Sequence, residues 1–290
     1  MATLIDLRRR IRSVRSSQQV TQAMKTVSTA KFRKALRTLH EGQPFWHAFP
    51  ALVERLAFWV PDDSHPLLQK RLERKVEVVV VTADKGLAGA FNSNLLARAQ
   101  AFIEGKAATA DVRLVLIGRK SAAHFKKQAW PADMVFAERT DKLSRERVRE
   151  LAEFLMKKYA FSRIDAVYII YNEFKSILAP VVTTARILPL EPDPGKRESA
   201  LWQAGFEPGA AELARFVLPL FFESQLHHVL HESQAAEHAA RMMAMDNATK
   251  NAQELIEDLI LVLNKIRQAG ITKELLEIMT AVEALSKSPG

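Results

Sequence analysis

The apolar positions at the start of the chain keep a three-to-four spacing. Leu4, Leu7, Ile11 and Val14 open a stripe, Gln18 and Thr21 interrupt it, and Met24, Val27, Phe32, Leu36 and Leu39 resume it. That period predicts a long amphipathic helix. Gly42 and Pro44 are its first breakers. Phe45 to Val60 predicts a second helical stretch with a kink at Pro50, and Pro61 to Pro66 a turn.

The period then shortens. "EVVVVT" (Glu77 to Thr82) is a β-branched run that predicts a strand buried on both faces. Asn92 to Ile103 predicts a helix, Val112 to Gly118 a strand and Arg119 to Gln128 a helix. Ser144 is placed to cap an amphipathic helix reaching Tyr159. Asp165 to Phe174 and Pro180 to Leu190 predict two more strands. Strands alternating with helices argue for a small, mostly parallel α/β layer.

Glu191 to Ala210 reads as a connection rich in Pro and Gly. From about Leu213 the pattern is helical to about Ser286, and the preference of proline for a first turn puts the start of the long helix near Pro219. Some 70 residues give roughly 100 Å of helix, and the first helix, continued through its kink, roughly 85 Å. Two long helices at the two ends of a chain, both with 3-4 spacing, are expected to pair as an antiparallel coiled coil. The division expected is residues 1–60, 61–210 and 211–290: helix, α/β domain with linkers, helix.

One stretch does not fit a simple pair. Leu259-Ile260-Leu261-Val262-Leu263 places apolar side chains all round the helix, whereas one stripe suffices for one partner. A domain of about 130 residues, with a radius of gyration of about 14 Å, is too small to wrap a rod of that length. Other chains are expected to surround part of it.

Composition narrows the chemistry. The chain of 290 residues has no cysteine, which excludes disulfides, thiol catalysis and thiolate metal sites. No run approaches the ~18 apolar residues of a membrane span, and the basic N-terminal stretch lacks the apolar region of a secretory signal. The formal net charge is +9. Residues 1–40 carry ten Lys/Arg and one acid, Asp6, so ten minus one places +9 there and leaves the rest neutral. A local positive field suggests an acidic partner.

No catalytic constellation emerges. "TADKGLAGAFNSN" (Thr82 to Asn94) lacks both the Walker and the dinucleotide pattern and reads as a tight turn, with phosphate binding through Gly86 and Gly89 as the alternative. His227, His228, His231 and His238 cluster on one helix without a His-Glu-x-x-His pattern, and read as surface or half-buried histidines. Glu254, Glu257, Asp258, Glu274 and Glu277 read as a solvated face. Arg8, Arg9, Arg10, Arg12 and Arg15 suit phosphates, but no aromatics interleave with them. A basic coiled-coil nucleic-acid-binding protein is the alternative they leave open.

Five segments together resemble the gamma subunit of F-type ATP synthase: "SQQVTQAMKTVSTAKFRKA", "VTADKGLAGAFNSN", "IIYNEFKS", "EHAARMMAMDNATKNA" and "NKIRQAGITKELLEI". The matches lie in order over most of the chain. The resemblance implies a Rossmann-like α/β domain inserted between N- and C-terminal helices that form the coiled coil. It implies a non-catalytic rotating shaft without cofactors, coupling proton flow to ATP synthesis. The implied partners are three alpha and three beta subunits, an epsilon subunit and a ring of c subunits, with no nucleic acid. It implies peripheral association with the cytoplasmic face of a bacterial inner membrane, since no transit peptide precedes the first motif. Lys25, Arg241, Arg267, Gln268 and Thr272 are the implied coupling contacts. Leu259, Val262, Leu263, Ile266 and Ile278 are the implied packing residues of coiled coil and sleeve. The chain departs from the family at Ala83, Lys85, Ala88 and Ala90, where Ser, Arg, Cys and Gly are frequent, and at Thr280 and Ala281, where a glycine pair is common.

Overall fold

The computed structural model describes residues 4–60, 65–136, 144–176, 181–191 and 209–286. Two helices, α1 (Leu4–Trp59) and α5 (Ala210–Ser286), stand at the two ends of the sequence. Between them lie β1 (Lys75–Val81), α2 (Phe91–Ala107), β2 (Asp111–Ile117), α3 (Arg119–Lys127), β3 (Ala132–Phe136), α4 (Arg145–Ala160), β4 (Ala166–Glu173) and β5 (Val181–Leu188). The chain divides into two compact units, residues 28–241 and the remaining parts of the two terminal helices.

In the larger unit the sheet order is β3-β2-β1-β4-β5. β1 pairs parallel with β2 and β4, β2 pairs parallel with β3, and β5 runs antiparallel to β4. The expected mostly parallel α/β layer is present. Burial on both faces explains the unbroken valines of β1. Val76, Val78 and Val80 meet Leu95 and Ile103 of α2 and Phe125 of α3. Val79 and Val81 point into a second cluster with Leu151 and Leu155 of α4, Val53 and Leu56 of α1, and Leu218 and Phe222 of α5. The side chain of Ser144 accepts from the amide of Arg147 and caps α4, as its sequence predicts.

Three local readings need correction. Pro44 and Pro50 both lie inside the single helix α1. Helix α5 begins at Ala210, not near Pro219, and contains that proline. Proline in a helix interior forfeits one hydrogen bond and costs about 3 kcal/mol. Ala214, Leu218, Phe221 and Phe222 around it are buried, and each large apolar side chain returns roughly 1.5–3 kcal/mol. Packing therefore carries the helix through its proline. The third correction is β3, which sequence patterning does not reveal. It has five residues at the sheet edge, and only Phe136 of them is buried.

The smaller unit consists of two antiparallel helical segments. Gln18 faces Gln253 at 2.8 Å, Thr21 faces Thr249 at 2.8 Å and Lys25 faces Asp246 at 2.6 Å, so position rises on α1 as it falls on α5. Among the described residues of this unit, Leu7, Met245, Ile256 and Leu259 are the buried apolar side chains. The fold is an α/β layer with a long antiparallel helix pair from the two chain ends.

Candidate functional site

The glycine-containing turn after β1 is built to receive a cation. Leu87 (φ 59°) and Gly89 (φ 57°) take left-handed backbone conformations between β1 and α2. The Asn92 side chain accepts from the amide of Ala83 at 3.0 Å. From α5, the Arg241 guanidinium donates to the carbonyl of Lys85 at 3.3 Å and to that of Gly86 at 3.4 Å. It also donates to Glu237 at 2.7 Å, one helical turn before it. A phosphate cradle must aim N–H groups at its ligand. This turn aims carbonyl oxygens at an arginine, which opposes the phosphate-binding alternative.

The same region fills the place where an open α/β sheet normally binds ligands. Strand order reverses between β1 and β4, and ligands of such sheets lie beyond the carboxyl ends of the strands at that point. Here Ala83, Ala88, Phe91 and Ala236 are packed together, with Phe174 and Ala240 against them. Alanine at positions 83 and 88 leaves room for α5. Arg241 is only 8 % exposed, so the structure places it inside the molecule, with its donors engaged by the chain itself.

Lys25 is also engaged. Its ammonium pairs with Asp246, which reaches Lys250 at 3.0 Å as well. Hydrogen bonds from Lys25 first, then Lys250, hold the Asp246 carboxyl below the usual aspartate range. Asp246 and Glu237 are the partners that sequence reading missed. The available signals were their i, i+4 spacings to Lys250 and Arg241, which are too common on helices to point to a site.

Arg267, Gln268 and Thr272 are exposed on α5. The Thr272 hydroxyl donates to the carbonyl of Gln268 at 3.0 Å, and these two share a helix face. Of the five apolar positions, Leu259 is buried and Leu263 is half-buried. Val262, Ile266 and Ile278 are exposed, at 44 %, 37 % and 60 %. Leu261, Ile271, Leu275, Leu276, Met279 and Val282 are exposed with them. This chain leaves those apolar side chains in water. Helix register brings Arg267, Gln268 and Thr272 into one stretch, whereas Lys25 and Arg241 each have their own local partners.

The histidines form no ligand set. His227 and His231 stack with ring centroids 6.2 Å apart, and burial pushes both below the usual histidine range. Among the described residues no group of three or more His, Cys, Asp or Glu side chains is placed to hold a metal ion.

Comparison with known proteins identifies the family. Residues 3–285 match the family model described as ATP synthase. The ATP synthase gamma chain of Pelotomaculum thermopropionicum is 40% identical over 285 residues, covering 98% of this chain and 100% of the relative. The chain belongs to the ATP synthase gamma chain family. The gamma chain of Chlorobaculum tepidum is 38% identical over 292 residues, covering 99% and 100%. A chain of the Euglena gracilis mitochondrial ATP synthase superposes with a TM-score of 0.66 at 20% identity, over 99% of this chain and 97% of its own. A chain of the Tetrahymena thermophila mitochondrial ATP synthase, from its central stalk and c-ring, gives 0.61 at 23% identity, over 79% and 99%. At these identities the structural likeness concerns the fold, and it is the fold described above. Nothing in these matches favours the nucleic-acid alternative.

Proposed function

We propose that this chain is the central rotating shaft of a bacterial F-type ATP synthase, coupling proton flow through the membrane sector to ATP synthesis on a ring of three alpha and three beta subunits. The observation that carries the reading, beside family membership, is the exposed apolar stretch of α5 from Leu261 to Val282. Exposed apolar surface on this scale marks a binding face. Epsilon and the c ring are the remaining partners. None of the described helices is long and apolar enough to cross a membrane. We assign the chain a peripheral place at the cytoplasmic face, through the complex, with phosphoryl transfer left to other subunits.

The two kinds of surface residue suit two mechanical tasks. Apolar burial is non-directional and proportional to area. An apolar sleeve around Val262, Ile266 and Ile278 therefore holds the shaft about equally at every angle, as a bearing does. Hydrogen bonds weaken steeply with misalignment. Contacts from Arg267, Gln268 and Thr272 thus differ from one angle to the next, and only such differences select among a beta subunit's conformations. Moving a two-state equilibrium from 1:99 to 99:1 takes about 5.5 kcal/mol of differential contact. A single exposed ion pair supplies roughly 0–1 kcal/mol, so several contacts must change together at each step.

The test is the double substitution Arg267→Ala with Gln268→Ala. The free chain should unfold at the same denaturant concentration as the unaltered one, because both side chains are exposed. In the assembled complex, ATP hydrolysis and proton pumping should both fall. Unchanged rates of both would refute the assignment of these residues. Failure of the unaltered chain to co-purify with alpha and beta subunits would refute the shaft itself.

A further inference from the structure

Within residues 28–241, α1 and α5 run side by side and leave a cavity of about 530 Å³. Leu36, Leu39 and Phe49 of α1 and Phe221 of α5 supply apolar walls. One wall is polar. Glu232 and His228 line it, with the imidazole Nε2 3.5 Å from the Glu232 carboxylate and the Trp46 ring 4.6 Å from the imidazole.

At that wall two carboxylates share one lysine, with the His228 imidazole beside Glu232. Glu232 accepts a hydrogen bond from the Tyr171 hydroxyl and faces a second carboxylate, Glu173, also from β4. Lys175 faces both acids and makes its ion pair with Glu173, at 3.7 Å. Glu173 further accepts from the Thr183 hydroxyl at 2.8 Å. From α1, His40 borders the cavity. Two acids thus repel one another where an apolar cavity narrows to its polar wall.

We propose that this cavity binds a small organic cation, a primary ammonium carried on an apolar body about the size of one aromatic ring. The ammonium lies at the Glu232 carboxylate, beside the His228 imidazole, and the body lies against Phe49 and Phe221. The volume falls in the usual range for small-molecule sites, ~300–1,000 Å³, and apolar walls with a few convergent polar groups are their usual lining. A charge-assisted hydrogen bond to a shielded carboxylate is among the stronger ones. Burial, with Glu173 adding to it, raises the Glu232 carboxyl from 4.5 to about 7, as expected for a carboxylate short of positive charge. A bound ammonium supplies that charge, so binding near pH 6 releases a proton from Glu232.

The experiment is calorimetric titration of the full-length chain with 2-phenylethylammonium at pH 6, in two buffers of different ionisation enthalpy. Saturable one-to-one binding with proton release is expected. Glu232→Gln, which keeps the shape of the side chain, should weaken binding at least tenfold and abolish the proton release. Leu39→Trp, which fills the cavity from a half-buried wall position, should weaken it at least tenfold without touching the carboxyl. Neutral 2-phenylethanol should bind at least tenfold more weakly than the ammonium. No saturable binding of the ammonium at millimolar concentration would overturn the proposal. Equal binding by Glu232→Gln or by the neutral alcohol would overturn it too, by reducing the cavity to an unselective apolar cleft.

Discussion

The Arg241 guanidinium donates to the carbonyl of Gly86, so a side chain of α5 closes the turn that follows β1. Arg241→Ala would leave two carbonyls and the Glu237 carboxylate without this donor. Removing one partner of a buried ion pair costs about 3–5 kcal/mol. The pair here is about nine-tenths buried on both sides, so a loss of about 3 kcal/mol is expected in urea unfolding. Arg241→Lys should lose less, because a point charge keeps the ion pair but not the planar fork.

Lys25 and Asp246 behave differently, because water reaches both. Lys25→Ala should lower the thermal midpoint of the free chain only slightly at neutral pH, since exposed pairs contribute roughly 0–1 kcal/mol, and the two chains should converge in acid. The acid limb should respond. Asp246 has its carboxyl held below its ordinary value of 3.8, mainly by Lys25. The stability this gives is present above that value and is lost as pH falls through the depressed one. Midpoints measured from pH 5 down to pH 2 should fall for the unaltered chain more steeply than for Lys25→Ala.

Glu232 carries the opposite sign. Its carboxyl is raised from 4.5 to about 7. Between these values the folded chain keeps a proton that the unfolded chain has released. The associated stability is full below 4.5 and is lost as pH rises toward 7, by roughly 3 kcal/mol in all. The groups that face it are Tyr171 and Glu173 on β4, Lys175 after it and His228 on α5, with His40 of α1 at the cavity edge. Urea midpoints of Glu232→Gln across this interval should lack that component.

Gly118, between β2 and α3, has a φ of +94°. A Cβ there would stand 2.1 Å from the carbonyl oxygen of Thr82. Backbone strain and collision act together, and the obstacle is backbone in a buried region. Gly118→Ala should cost about 2–4 kcal/mol, visible as a lower midpoint in chemical denaturation with an unchanged slope.

Val262→Asp separates folding from assembly. The valine is 44 % exposed in the free chain, so the free chain should fold with its normal midpoint. Closing an apolar sleeve over a carboxylate is costly. Pull-down of alpha and beta subunits by this variant should therefore fail, and normal recovery would remove the sleeve from the account.

Much of the fold could be read from the chain because the decisive signals are local. The valines of β1 announce burial on both faces, and the 3-4 spacing of Leu4 to Leu39 announces a helix. The start of α5 could not be read, because Pro219 is a strong local breaker overruled by contacts of Leu218 and Phe222 with residues far away in sequence. β3 was hidden for the converse reason: its side chains are mostly exposed, so no pattern marks it. Among the site residues, the exposure of Arg267, Gln268 and Thr272 accords with their polarity. The surroundings of Arg241 depend on a turn some 155 residues earlier in the chain, a relation that periodicity cannot encode.

The larger apolar cluster joins Val53 and Leu56, near the beginning of the polypeptide, to Leu218, Phe222 and Val229, near its end. During synthesis the first contributors leave the ribosome long before the last exist. At about 5–20 residues per second, the delay from Val60 to Leu218 is roughly 8 to 30 seconds. Until α5 arrives, the part of the sheet that it covers stays open and sticky. Completion of this layer therefore waits for α5, and a chaperone that shields the open side should raise the yield of intact protein.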